Sequence, residues 1–135
     1  MRAVDTNILA RYYLRDDRAQ ARLAEKILAQ GDVFVPKTVV LELEWVLRSV
    51  AGQPADRVAA CLAHLLALPG VSTEHPDQIE AALDRYRRGV DFADALHLAA
   101  SHTCSEFLTF DDRGFARRAR RLGLKPPVSV PAAWK

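Results

Sequence analysis

Apolar residues recur in two registers that alternate along the chain. Short β-rich runs lie at Arg2 to Val4, Val33-Phe34-Val35, Val71-Ser72-Thr73, Phe107 to Thr109 and Val128 to Val130. Between them the apolar positions take a helical period. Ile8, Leu9, Tyr12 and Tyr13 predict a first helix, and Leu23, Ile27 and Leu28 a second over Arg18 to Gln30, stopped by Gly31. Leu43, Val46, Leu47 and Val50 predict a third over Thr38 to Val50, before Gly52 and Pro54 break the chain. Further helices are expected over Ala55 to Leu68 and Pro76 to Arg88. Phe92 to His102 is apolar almost all round, which predicts a buried helix. A basic helix should follow Asp111.

Strand and helix in alternation argue for an α/β fold, a parallel sheet with helices on both faces. In such sheets ligands sit beyond the carboxyl ends of the strands. Asp5 and Asp111 each fall just past a strand. No internal repeat or second hydrophobic block is visible, so a single domain over 1–135 is expected.

Composition narrows the classes further. The chain has 135 residues, 50% hydrophobic and 27% charged, an ordinary globular balance. No apolar run approaches the roughly 20 residues that span a bilayer. The start, Met-Arg-Ala-Val-Asp, places an acid where a secretory leader needs its apolar core. Cys61 and Cys104 show neither metal-like spacing nor a disulfide framework. A cytoplasmic, reduced protein with no membrane association is expected. Net charge is only +2, but basic residues cluster. Arg11, Arg15, Arg18 and Arg22 are spaced to stripe one helical face, and Arg113, Arg117, Arg118, Arg120, Arg121 and Lys125 form a second group. Either stripe suits phosphate contact or a solvated face equally well.

Four acids interrupt apolar surroundings: Asp5, Glu42, Asp94 and Asp111. A carboxylate held among apolar groups must be paired, protonated or bound to a cation, and few basic residues lie close by in sequence. A shared divalent metal is the economical solution. Val39, Leu43, Val46 and Val50 make one helical stripe with Glu42 at its border, so Glu42 is expected to face inward. Glu44 should point outward, solvated and paired with Arg48 four residues on. Each acid also has a bland reading. Asp5 and Asp91 suit helix N-caps, and Asp94 in a first turn gains from the helix dipole. Asp112, rather than Asp111, suits the turn that caps the basic helix. His97, one turn beyond Asp94, is more readily a core or supporting group than a ligand. An all-carboxylate set favours Mg²⁺, with Mn²⁺ able to substitute, over zinc.

The pieces Val4-Asp5-Thr6-Asn7, Leu41-Glu42, Asp91-Phe92-Ala93-Asp94-Ala95-Leu96-His97-Leu98-Ala99 and Leu108-Thr109-Phe110-Asp111 resemble, in content and order, the PIN-domain ribonucleases. Within these the likeness is to the VapC-type toxins of toxin–antitoxin pairs, and it spans nearly the whole chain. The resemblance implies a three-layer α/β/α fold with a short parallel sheet and Mg²⁺-dependent endonucleolytic cleavage of RNA. It also implies a homodimer and a cognate VapB-type antitoxin. It assigns the metal site and catalysis to Asp5, Glu42, Asp94 and Asp111, with Thr6, Asn7, Asp91 and Thr109 supporting them. Arg11, Arg15, Arg113 and Arg117 would hold flanking phosphates. Asp111 is preferred to Asp112 by register alone. The competing readings are a metal-dependent DNA nuclease and a non-catalytic α/β binding module.

Overall fold

The computed structural model describes residues 1–132. Its Cα packing divides the chain into two compact units, Met1–Glu80 and Ala81–Lys135.

In the first unit, β1 (Arg2–Ala3), β2 (Val33–Val35) and β3 (Val71–Thr73) form a parallel ladder in the order β1-β2-β3. Arg2 is opposite Val33, and Val33 opposite Val71. Parallel neighbours need crossover connections, and helices supply them. After β1 come α1 (Thr6–Leu14) and α2 (Arg18–Gln30), and after β2 come α3 (Lys37–Trp45) and α4 (Ala55–Ala67). The core is aliphatic: Leu9, Val33, Val35, Val40, Leu43, Leu47, Val58 and Leu62 are each at most 1% exposed.

Two local devices separate α1 from α2. Arg15 adopts a left-handed conformation at φ 54° and ends α1. Asp17 then caps α2 by accepting a hydrogen bond from the Gln20 amide at 3.0 Å, a contact worth about 1 kcal/mol. The expected arginine stripe therefore does not lie on one helical face. Arg11 and Arg15 belong to the end of α1, and Arg18 and Arg22 to α2. Arg11 is held by Asp16 and Gln20, and Arg15 by Glu25.

The third predicted helix also changes character. α3 is α-helical only to Trp45, and Val46–Val50 continue as a π-helical turn. The buried stripe is Val40, Leu43, Glu44 and Leu47, whereas Val50 is 66% exposed. A wider turn advances fewer degrees per residue, so it carries Val50 out of the stripe that an ideal α-period assigns it.

The helix α5 (Pro76–Arg87) carries the chain into the second unit. That unit contains α6 (Phe92–Ala100), β4 (Phe107–Leu108), a π-helical turn at Asp112–Ala116, α7 (Arg117–Leu122) and β5 (Val128–Ser129). β4 pairs in parallel with β5, Phe107 opposite Val128. α6 is the buried helix expected from its composition, with Phe92, Ala95, Leu96, Leu98 and Ala99 all inside. Phe115, Ala116, Ala119, Val128 and Val130 are buried too. All five strand positions and the parallel pairing agree with the sequence reading. The first unit pairs three strands in one ladder and the second pairs two, and the mixed α/β build with a short parallel sheet is the expected fold class.

Candidate active site

In the first unit the chain leaves β1 with Val4 still bonded to β2, its amide donating to the Phe34 carbonyl at 3.2 Å. Asp5 follows in extended conformation as the N-cap of α1, its Oδ1 accepting from the Ile8 amide at 3.3 Å. Thr6 is buried, and its hydroxyl donates to Glu42 Oε1 on α3. Asp5 and Asn7 line one open groove with Ile8, Arg11, Gln20 and Leu23.

Exposure corrects the expectation for α3. Glu42 is exposed and Glu44 is buried at 2%, the reverse of the reading from periodicity. The Glu44–Arg48 pair does form, Nε to Oε2 at 2.6 Å. Its direction is inward, because a carboxylate that brings its own guanidinium can leave water at tolerable cost. Asp5 and Asp111 are exposed as well, and Asp94 is half-buried. The inference of a metal from buried, unpaired charge therefore has no footing for three of the four acids.

In the second unit Asp91 is the N-cap of α6, its Oδ2 accepting from the Asp94 amide at 3.1 Å. Asp94 and Asp111 both line a cleft of about 190 Å³, together with Asp91, Gly114 and Arg118. Burial raises the Asp94 carboxyl above its ordinary value, and the negative charges of Asp91 and Asp111 push the same way, against the pull of His97. His97 itself is exposed and so is not a core group. Among the described residues no hydrogen bond reaches the Asp94 carboxylate.

Asp111 has its oxygens aimed at its own backbone. Oδ1 accepts from the Gly114 amide at 2.9 Å and Oδ2 from the Phe115 amide at 3.1 Å. Asp111, not Asp112, is thus the cap of the following turn, and Asp112 pairs with Arg120 at 3.2 Å. The Thr109 hydroxyl accepts from the Asp111 amide at 3.0 Å, fixing the backbone from which that carboxylate springs. Arg113 and Arg117 are exposed, while Arg118 donates to the Gly89 carbonyl.

The structure therefore joins Thr6 to Glu42 in the first unit, and gathers Asp91, Asp94 and Asp111 around one cleft in the second. Among the described residues no group of three or more His, Cys, Asp or Glu side chains stands ready to hold a metal ion. The donors nonetheless fit a hard cation by type, since every one is a carboxylate and Asp94 is destabilised as an anion by two others. The sequence reading missed Gly114. A Cβ there would stand 2.7 Å from Asp111 Oδ2, so glycine is what lets Asp111 cap the turn. The only trace of this in the sequence is the turn-like Asp111-Asp112-Arg113-Gly114.

No helix of the described residues is long and apolar enough to cross a membrane. No curated protein matches the chain. The PIN domain family model matches it over residues 2–121. The carboxylates at the helix starts and strand ends thus sit in a known framework: the chain belongs to the PIN-domain family, whose members are generally metal-dependent nucleases.

Proposed function

We propose that this protein is a single-domain, Mg²⁺-dependent endoribonuclease, the toxin of a VapBC-type pair, acting in the cytoplasm as a homodimer and restrained by a VapB-type antitoxin. The observation that carries the reading is the cleft where Asp94 and Asp111 meet with Asp91 beside them, in a chain matched as a PIN domain over 2–121. Asp5, Glu42, Asp94 and Asp111 are proposed as the side chains that hold Mg²⁺ or Mn²⁺. Such an ion supplies an acidified water and neutralises charge developing at phosphorus.

The chain's own contributions are positional. The Asp91 cap sets the first turn of α6 and with it the start of the Asp94 side chain. Thr6 fixes one oxygen of Glu42 and leaves the other for a ligand or for a proton taken as general base. Arg113 and Arg117 are proposed to meet phosphates, and their exposure supports that role. Arg11 and Arg15 are already engaged with neighbours, which makes them weaker candidates for that task.

The test is cleavage of RNA in Mg²⁺ and Mn²⁺ by the wild-type chain and by Asp94→Asn. The variant should lose cleavage with an unchanged far-UV CD spectrum; full activity in it would sink the assignment. Parallel digests of single-stranded DNA decide between substrates, and cutting of DNA alone would make the protein a deoxyribonuclease.

A further inference from the structure

The first unit carries a second cluster that the acids do not use. Tyr12 and Tyr13 come from the last turns of α1, and Arg57, Cys61 and His64 from one face of α4. The Tyr13 hydroxyl and His64 Nδ1 are 2.9 Å apart. Tyr12 stacks on His64 at 28° with ring centroids 6.2 Å apart, and Tyr13 stands edge-on to both. Burial, reinforced by Cys61 and Tyr12, holds the Tyr13 phenol well above its ordinary range. The hydroxyl and the imidazole thus hold each other in place, with donor and acceptor roles set by the His64 tautomer.

These side chains line an open groove of about 380 Å³ with Arg15 and Arg57 at its sides. No carboxylate lines it among the described residues. Arg15 is bonded to Glu25, whereas among the described residues the hydrogen bond of the Arg57 side chain is a long one to Gln53, 3.4 Å. Ile8 and Tyr12 are four residues apart on α1, with Asp5 one turn before Ile8. The aromatic group thus lies on the order of 10 Å from Asp5 along the same helix.

We propose that this groove is a nucleotide subsite for single-stranded RNA, in which Tyr12 and His64 take a base and Arg57 takes a phosphate. This rests on the ribonuclease reading above, with the groove about two helical turns along α1 from Asp5. Flat rings beside a guanidinium are what a sequence-tolerant single-strand site requires. A protein partner is the poorer fit. The large exposed apolar side chains of the first unit, Met1, Leu23, Trp45 and Val50, which a docking protein would cover, all lie outside the groove.

The test is fluorescence anisotropy of the full chain with a labelled single-stranded RNA, with Ca²⁺ in place of Mg²⁺ and salt varied. Tyr12→Ala should weaken binding about five-fold or more, and Tyr12→Phe should restore it. Arg57→Ala should weaken it and lower the slope of log affinity against log salt by about 0.7. Both sites are on helix surfaces, and CD of each variant checks the fold. Unchanged affinity and slope in Tyr12→Ala and Arg57→Ala would overturn the subsite. So would a Tyr12→Phe variant as weak as Tyr12→Ala. Wild-type cleavage of the same RNA in Mg²⁺ separates the two ideas. Cleavage with unaffected variants removes only the subsite, and neither binding nor cleavage removes both.

Discussion

The buried hydroxyl of Thr6 donates to the exposed carboxylate of Glu42, tying the first turn of α1 to α3. That bond leaves Glu42 one oxygen held and one available. Thr6→Val keeps the shape and removes the donor. Groups that orient a ligating carboxylate are worth about 10- to 100-fold in metal affinity. Thr6→Val should therefore weaken Mn²⁺ binding about ten-fold in a thermal-shift titration. Stability without metal should fall by no more than about 1.5 kcal/mol. Equal Mn²⁺ affinity in the two proteins would separate Thr6 from the metal site.

Glu42 and Glu44 should part company on mutation. Glu44 is buried against Arg48, so Glu44→Ala should cost about 1–3 kcal/mol in denaturant melts. Glu42 is exposed, and Glu42→Ala should stay within about 0.5 kcal/mol of wild type while losing RNA cleavage. A Glu42→Ala protein that cuts normally would contradict its assigned role.

Gly114 lies so close to the Asp111 carboxylate that a Cβ would come within 2.7 Å of one oxygen and 2.8 Å of the other. Gly114→Ala should push Asp111 off its two amides and reduce cleavage nearly as far as Asp111→Ala does. Asp112→Asn breaks only the exposed pair with Arg120 and should cleave at close to the wild-type rate. The reverse ranking in a gel assay would assign the fourth acid to position 112.

Asp94 gives a pH signature. Its folded value lies above the ordinary 3.8, mainly through burial. The folded state then holds the proton more tightly than the unfolded chain. Stability from this group is complete below about 3.8 and is lost as pH rises through the raised folded value. At neutral pH without metal, Asp94→Asn should melt higher than wild type, and the gap should shrink as pH falls toward 4. Mg²⁺ should reverse the order by stabilising the ionised wild type alone. A metal-free Asp94→Asn that melts lower at pH 7 would show that the ionised carboxylate is stabilising.

Much of the fold is legible along the chain because it is set by near neighbours. Gly31 ends α2 and Pro36 ends β2 where expected, and the apolar run of α6 is buried as its composition requires. Asp91 caps α6 through the three-residue spacing visible in Asp91-Phe92-Ala93-Asp94. That Asp5 and Asp111 lie just past strands is legible in the same way, but the surroundings of the acids are not. Periodicity assumed ideal α-turns through Val50, and a π-turn rotated the far end of that stripe outward. Asp111 and Asp112 look interchangeable until one sees which carboxylate meets the amides of Gly114 and Phe115.

By itself the sequence determined the order of strands and helices, the parallel pairing and the acids that flank them, since periodicity and caps act over a few residues. Only the tertiary structure decided that Glu44 turns inward and Glu42 outward, that Thr6 holds Glu42, and that Gly114 makes room for Asp111. It also brought Tyr13 to His64 across 51 residues. Each of those outcomes depends on side chains from elements distant in sequence competing for the same space and the same hydrogen bonds, and local pattern carries no record of that competition.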